Sequence, residues 1–245
     1  MKMFLVGGAV RDELMGIPLH RIKDLDFAVE AESFETMRAE LVAQGFDIFL
    51  ETPEYLTIRA RFPRGHEHAA SGLTADFVLC RIDGPTLDHR RPAFVEPGTI
   101  FDDLARRDFT MNAIARDIET GELIDPHGGA KDITDRVIRF VGDPMVRIRE
   151  DALRAIRALR FRITKDFRLS PSTEYHILIN NAETIRLLEH ISIERIEAEL
   201  RKMFNHDTLT TLFMLRGMDQ RLIDVMFRDN KLKLNPTLTE RLPGS

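Results

Sequence analysis

The chain lacks two features that would settle its class at once: paired cysteines and a long apolar run. Its single cysteine, Cys80, cannot form an internal disulfide, and it lies in an apolar, strand-like run that indicates a buried thiol. No apolar stretch reaches the roughly 20 residues of a membrane-spanning helix. The short apolar N-terminal run ends at Arg11 and is typical of a strand entering a turn rather than of a signal peptide. We therefore expect a cytoplasmic protein without membrane segments.

An excess of positive charge is also missing. Lys and Arg number 35 and Asp and Glu number 40, which gives a net charge of −5. Composition alone therefore gives no sign of nucleic-acid binding, and any basic surface must be local. The 245 residues, 43% of them hydrophobic, suffice for one large domain or two smaller ones with a real core.

The spacing of apolar residues changes along the chain. Up to residue 144, short strand-like runs alternate with helical ones, and residues 82–100 carry enough proline and glycine to predict a long loop. From residue 145 the period is helical, and one helix is predicted over Ile148–Ile163. The predicted fold is α+β: a mixed sheet-and-helix head at 1–144, followed by an all-α segment at 145–245.

Two carboxylates, Asp24 and Asp26, flank one residue in a strand-like segment. Side chains at i and i+2 of a strand point to the same face, where like charges repel unless a cation lies between them. Mg²⁺ prefers such hard oxygen ligands and binds one or two carboxylates together with substrate phosphates. The pair therefore predicts a metal site, with an exposed turn or strand end as the alternative interpretation.

A glycine pair, Gly7 and Gly8, precedes these carboxylates. Glycine lets the backbone approach a bulky ligand, and the N–H groups and dipole of a following helix favour a phosphate. Arg11 on the first turn of that helix can add a bidentate contact. A plain strand-to-helix turn is the alternative, but a phosphate-binding turn shortly before a carboxylate pair supplies both halves of a nucleotidyl-transfer site.

Three motifs then carry a specific resemblance. They are LVGGAVRD at 5–12 with KDLD at 23–26, DLARRDFTMNA at 103–113, and EDALR at 150–154. Their order and spacing resemble the signatures of the class II (bacterial-type) CCA-adding tRNA nucleotidyltransferase and poly(A) polymerase family, over residues 1 to about 205. The resemblance implies a nucleotidyltransferase head of the polymerase β type, followed by a helical neck and body.

The resemblance also implies roles for individual residues. It makes Asp24 and Asp26 catalytic and the ligands of two Mg²⁺ ions. It assigns nucleotide binding to Gly8, Arg11, Arg107, Asp151, Arg154, Arg157 and Arg160, and supporting roles to Glu150, Asp108 and Asn112. Asp76, on a predicted strand, is a candidate third carboxylate, and the 82–100 loop resembles the loop that enzymes adding the terminal A retain.

The third motif, EDALR at 150–154, also has a physical interpretation that does not depend on the resemblance. Residues 151 and 154 are neighbours on one face of a helix, so Asp151 and Arg154 could form a surface ion pair or serve as a template for a base. The carboxylate can accept a hydrogen bond from the amino group of cytosine or adenine, while the guanidinium donates to the acceptor atoms beside that group. Uracil presents N–H and C=O the other way round and would leave both side chains without a suitable partner. Steps of three residues drift around a helix, which favours Arg157 over Arg160 as a further contact.

The function implied is template-independent addition of C and A to the tRNA 3′ acceptor end from CTP and ATP. A poly(A) polymerase of the same family is one alternative, and a catalytically silent RNA-binding or regulatory protein is another. Relatives usually carry a longer helical body that holds tRNA. A partner subunit, a homodimer or a smaller RNA substrate would compensate for a shorter one.

Overall fold

The chain folds into two compact units that divide between Asp135 and Arg136, whereas the sequence suggested a boundary after residue 144. The computed structural model describes residues 1–18, 21–22, 25–66, 72–84 and 94–228. Among these residues, no helix has both the length and the apolar character needed to cross a membrane.

The strands described in the first unit are β1 (Lys2–Val6), β2 (Leu25–Glu30), β3 (Asp47–Thr52), β4 (Thr57–Arg61), β5 (Thr74–Leu79), β6 (Arg81–Asp83), β7 (Val95–Pro97), β8 (Ala115–Asp117) and β9 (Leu123–Ile124). Seven of them form one sheet in the order β3-β4-β5-β2-β1-β8-β9, and β6 and β7 form a separate two-stranded sheet. Its helices are α1 (Gly8–Leu14), α2 (Phe34–Ala43), α3 (Ile100–Ala105) and α4 (Gly129–Thr134), with 3₁₀ turns at Pro53–Tyr55 and Thr110–Asn112. Within the described sheet, β2 and β5 are parallel and the other neighbours antiparallel.

The two faces of this sheet differ in polarity because side chains alternate along each strand. On one face Phe27 and Phe77 stack at 5.1 Å between ring centroids, and Phe46 meets Phe77 edge-on at 4.9 Å. The next residue back on each strand, Asp26 and Asp76, points to the opposite face and is only half-buried. The aromatic core thus fixes the register that sets these two carboxylates side by side.

The prediction of a loop over residues 82–100 is wrong at both ends, where the structure has regular secondary structure. The strands β6 and β7 pair antiparallel, with Arg81 opposite Pro97, and α3 begins at Ile100 behind a capping box of Thr99 and Asp102. Proline is tolerated at this point because β7 lies at the edge of a two-stranded sheet. Residues 85–93, the middle of the predicted loop, lie outside the described residues.

The second unit is mainly helical, as predicted. Its helices are α5 (Pro144–Glu150), α6 (Leu153–Thr164), α7 (Pro171–Glu174), α8 (Ala182–Leu188), α9 (Ile193–His206), α10 (Thr208–Arg216) and α11 (Gln220–Met226), with a π-helical turn at Tyr175–Ile179. The longest two, α6 and α9, pack together and bury Ile156, Leu159, Ile196 and Leu200. The all-α expectation misses one short feature, the parallel pairing of β10 (Val137–Ile138) with β11 (Arg168–Leu169).

The single helix predicted over Ile148–Ile163 is wrong, because the chain breaks at Asp151. This residue is extended, with φ −154° and ψ 103°, and separates α5 from α6. Its carboxylate accepts a hydrogen bond from the Leu153 backbone N–H at 3.1 Å. Aspartate competes in this way with the helical backbone, whereas the apolar period continues across the break and hides it.

Candidate active site

The polar face of the head sheet carries a row of charged residues from three adjacent strands. Asp26 on β2 lies in register with Asp76 on β5 and, on its other side, with Val6 at the end of β1. Asp76 lies in register with Arg59 on β4. Asp24, the other member of the predicted metal-binding pair, lies outside the described residues.

Gly7 brings Asp26 close to an arginine from a distant part of the sequence. Its backbone has φ +68°, a conformation that side chains disfavour, and it precedes α1. A Cβ atom added there would lie 3.1 Å from Arg107 Nη1 and 3.8 Å from Asp26 Oδ2. A carboxylate and a guanidinium therefore converge on a buried backbone position that has no room for a side chain.

Arg11, on α1, is held in place beneath this turn. Its side chain is buried, and it donates from Nη1 to Asn112 Oδ1 at 2.8 Å and from Nε to Asp12 Oδ1 at 2.8 Å. The Nη2 atom lies 3.5 Å from the position of a Cβ on Gly8. The predicted nucleotide-binding residues Gly8 and Arg11 are thus neighbours, and Arg11 is fixed by two partners.

Arg107 is fixed by a carboxylate that the sequence analysis did not single out. Asp103 is 0% exposed and accepts from Arg107 Nη2 at 2.8 Å and from Arg106 Nη2 at 2.5 Å. Burial raises the pKa of Asp103, but the two guanidinium groups outweigh it and hold that pKa below its ordinary value. The spacing of three and four residues on α3 was a signal that could have identified this cluster.

Asp108 and Asn112 hold the turn that follows Arg107. Asp108 Oδ1 accepts from the Phe109 backbone N–H at 2.8 Å and from Asn112 Nδ2 at 3.0 Å. The backbone oxygen of Asn112 accepts from Arg107 Nη1 at 3.4 Å. These contacts, with the bond from Arg11 to Asn112, link the predicted supporting residues to both nucleotide-binding arginines.

In the second unit, Asp151 and Arg154 have separate partners. Arg154 donates to Glu150 Oε2 at 2.6 Å and to the backbone oxygen of Arg147 at 3.2 Å. Asp151 Oδ2 instead accepts from Arg195 Nη2, on α9, at 2.7 Å. The expected arrangement of 151 and 154 on one helical face is therefore replaced by two side chains that are fixed independently, the first of them at the break between helices.

Arg157 and Arg160 both lie on α6, and Arg160 is engaged with α9. It donates to Glu199, which is 6% exposed and also binds Lys202 at 3.0 Å, and its guanidinium lies 3.8 Å from the centroid of the Phe161 ring. Burial raises the pKa of Glu199, but Arg160 and Lys202 outweigh it and lower that pKa overall. These contacts favour a structural role for Arg160. The partners Arg195 and Glu199 were missed because they lie about 40 residues away along the chain.

The described carboxylates of the head suit a hard cation. Asp26 and Asp76 offer oxygen atoms from adjacent strands on one face of the sheet, which is the donor type that Mg²⁺ prefers. The described residues contain no group of three or more histidine, cysteine, aspartate or glutamate side chains placed to hold a metal by themselves. A cation here would therefore depend on other oxygen ligands, such as Asp24 or substrate phosphates.

Known proteins resemble this chain in sequence and in fold. Residues 3–139 match the family of the Poly A polymerase head domain. The chain is 42% identical over 201 residues to the CCA-adding enzyme of Geobacillus thermodenitrificans, covering 82% of this chain and 45% of that one, and 37% identical over 218 residues to the CCA-adding enzyme of Staphylococcus saprophyticus, covering 86% and 48%. The chain spans about half the length of the curated relatives that it matches.

Two solved structures extend this likeness over most of the chain. The Bacillus stearothermophilus CCA-adding enzyme in complex with CTP superposes with a TM-score of 0.71 at 34% identity, over 94% of this chain and 52% of that one. A tRNA nucleotidyltransferase complexed with a primer tRNA and an incoming ATP analog gives a TM-score of 0.72 at 31% identity, over 93% and 59%.

Proposed function

We propose a function for this chain on one premise: it belongs to the poly(A) polymerase head-domain family. The chain carries the catalytic and base-selecting parts of a CCA-adding tRNA nucleotidyltransferase, which extends the tRNA 3′ end with C and A from CTP and ATP. The relatives named as CCA-adding enzymes support this, as do the structures with CTP and with primer tRNA and an ATP analog. Such tRNA processing would take place in the cytoplasm.

The observation that carries the proposal is the convergence at Gly7. Asp26 and Arg107 converge on the buried turn at Gly7, where a positive φ and the closeness of Arg107 leave no room for a side chain, so an anion and a cation lie at the same backbone position. A nucleoside triphosphate needs both charges, because its phosphates require cationic contacts and its metal ions require carboxylates. Gly8 and Arg11 continue the same turn and would contact the triphosphate.

Two Mg²⁺ ions would be held by Asp24 and Asp26, and they would supply charge neutralisation for the triphosphate and a more acidic 3′-hydroxyl. The reaction forms a bond from the 3′-hydroxyl oxygen to the α-phosphorus. It breaks the bond from that phosphorus to the oxygen that bridges to the β-phosphate. Pyrophosphate leaves and the hydroxyl proton passes to solvent. Arg107, oriented by the buried Asp103, would bind and orient the nucleotide during this exchange.

Base selection belongs to the second unit in this proposal. The Asp151 carboxylate accepts the amino hydrogen of cytosine or adenine, and Arg154 donates to the ring acceptor next to it. Uracil presents its N–H and C=O groups the other way round and leaves both side chains mismatched. Glu150 fixes Arg154 and Arg195 fixes Asp151, which supports a rigid template. Arg157 remains the better candidate for a further contact than Arg160.

The test is extension of a tRNA that lacks its 3′-CCA, with Mg²⁺ and each labelled NTP alone and then with CTP and ATP together. The proposal predicts addition of two C residues and then one A, and loss of transfer in Asp24→Ala/Asp26→Ala. A long A tail would instead assign the chain to poly(A) polymerase. Retained NTP binding without transfer to any RNA would contradict the proposal and favour a silent RNA-binding protein. Sedimentation of the same sample tests whether the chain forms a homodimer, which is one of the three ways to compensate for a shorter helical body.

A further inference from the structure

The row of charged residues on the head sheet, Asp26, Asp76 and Arg59, contains an arginine that the proposed reaction does not use. Arg59 donates from Nε to Asp76 Oδ1 at 2.5 Å and from Nη2 to Asp76 Oδ2 at 2.6 Å, so it occupies both carboxylate oxygens. The side chains of Arg59 and Asp76 are 47% and 26% exposed. A surface ion pair of this kind ordinarily adds little to stability. Its position next to a candidate cation ligand is therefore more informative than its contribution to folding.

The strand order shows on which side of Asp76 Arg59 lies. Asp76 lies between Arg59 on β4 and Asp26 on β2, and the three residues are in register. Neighbouring strands are about 4.8 Å apart, so the Asp26 and Asp76 carboxylates repel each other on one face. Arg59 approaches Asp76 from the side away from Asp26. It therefore relieves the repulsion and binds the oxygen atoms that a divalent cation would need.

We propose that Arg59 is a positioning residue that holds the Asp76 side chain and competes with divalent cations for its carboxylate. The inference rests on the proposed function only in treating Asp26 and Asp76 as part of a cation site. Its physical basis is general, because removing a cation from beside two carboxylates raises their affinity for another cation. Removing Arg59 should therefore tighten metal binding.

The chain provides a matched control two residues along the same strand. Arg61 lies on the same face of β4 and is also exposed, but it pairs with Asp47 on β3 at 2.9 Å and stacks on Phe49. Arg61→Gln therefore removes the same charge from the same strand without removing the partner of Asp76. A general effect of net charge would appear in both variants, and the proposed competition appears in Arg59→Gln alone.

The experiment is titration of the full chain with Mn²⁺, without nucleotide, followed by the EPR signal of free Mn²⁺. Arg59→Gln should lower the apparent Kd about 5-fold, as expected when a pair of roughly 1 kcal/mol is lost, and Arg61→Gln should leave it within about 1.5-fold. The effect of Arg59→Gln should vanish in an Asp76→Asn background. Arg59→Lys keeps the charge but cannot bind both carboxylate oxygens in the planar, bidentate way of arginine. Its apparent Kd should lie between those of the wild type and Arg59→Gln, and it replaces the glutamine variant in the test if that variant folds poorly.

Three results would overturn the inference: wild-type Mn²⁺ affinity in Arg59→Gln, equal tightening in Arg61→Gln, or no saturable Mn²⁺ site in any variant. Failure of the proposed function is a separate outcome. RNA extension by the wild-type chain together with unchanged Mn²⁺ affinity in Arg59→Gln rejects only the role of Arg59. Tighter Mn²⁺ binding without RNA extension rejects the enzymatic function and retains that role.

Discussion

The two units of the chain fix their charged residues in different ways. In the head, Asp103 is fully buried and binds two consecutive arginines, and Asn112 links Arg107 to Arg11. In the helical unit, Arg154 and Asp151 each have their own partner, Glu150 and Arg195, and all of these side chains keep some exposure. Shared partners therefore link the two nucleotide-binding arginines of the head, whereas Asp151 and Arg154 are held by different partners, one of which, Glu150, also binds Arg147 at 2.8 Å.

This difference predicts how each unit responds to damage. Loss of one member of a connected, buried network leaves several charges uncompensated, so its effects spread. Loss of one member of a pair in which both side chains keep some exposure is partly compensated by water. Substitutions of Asp103 and its partners in the head should therefore affect stability and all nucleotides together, and those of Asp151 and Arg154 in the helical unit should act locally and on particular bases.

The largest effect is expected for Asp103→Asn. The change leaves Arg106 and Arg107 without a buried counter-charge, which should cost about 3–5 kcal/mol of unfolding free energy. Urea denaturation measures it. Asp135→Asn, which breaks an exposed pair with Lys131, should stay within about 0.5 kcal/mol. Equal losses for the two variants would remove the distinction between a buried network and a surface pair.

Gly7→Ala should be the next largest. The added methyl group meets Arg107 Nη1 at 3.1 Å on a backbone with φ +68°, which should reduce RNA extension with every nucleotide by roughly 100-fold through misplaced groups. Gly16→Ala, also at positive φ but with nothing near its Cβ position, separates backbone strain from the contact. A loss confined to one nucleotide would contradict the assignment of Gly7 to triphosphate binding.

Glu199→Gln tests the buried carboxylate of the helical unit, which binds two cations. Loss of the charge facing Arg160 and Lys202 should cost about 1–3 kcal/mol, less than Asp103→Asn. Urea denaturation again provides the value, with Glu197→Gln as the control because its pair with Arg201 is longer, at 3.6 Å. A cost for Glu199→Gln above that of Asp103→Asn would reverse the comparison between the two units.

The contribution of Asp103 to stability should also depend on pH, which is a smaller effect than those above. The folded pKa of Asp103 lies below its ordinary value of 3.8, so its contribution is present above pH 3.8 and is lost as the pH falls below it. Denaturation of wild type and Asp103→Asn between pH 3 and pH 6 measures the contribution. Their difference should shrink toward the acid end, and a difference that grows there would contradict the lowered pKa.

The sequence predicted the parts of the fold that depend on near neighbours. The turn at Gly7, which precedes α1, lies where a predicted strand meets two glycines. The break at Asp151 could not be predicted from periodicity, because the apolar spacing continues through it. The pairing of β6 with β7 likewise depends on residues 12 or more positions apart in sequence, such as Arg81 and Pro97.

The candidate site shows the same limit. Motifs identified Arg107, Asp108 and Asn112 because they are close together in sequence, and their contacts are mostly local. Arg59 and Arg195 were missed because their partners, Asp76 and Asp151, lie on other strands or helices. An ion pair across a sheet or between helices has no fixed spacing in sequence, so the register and the packing of the elements had to be known first.

The central claim is that the head performs transfer and the helical unit selects the base. The most direct test is a competition assay with all four NTPs on a tRNA lacking its 3′-CCA, comparing Asp26→Ala with Asp151→Ala. We predict that Asp26→Ala abolishes incorporation of every nucleotide, and that Asp151→Ala retains transfer while UMP incorporation rises relative to CMP and AMP by about 10-fold or more. Uniform loss in Asp151→Ala, with unchanged proportions of the nucleotides, would contradict the division of roles.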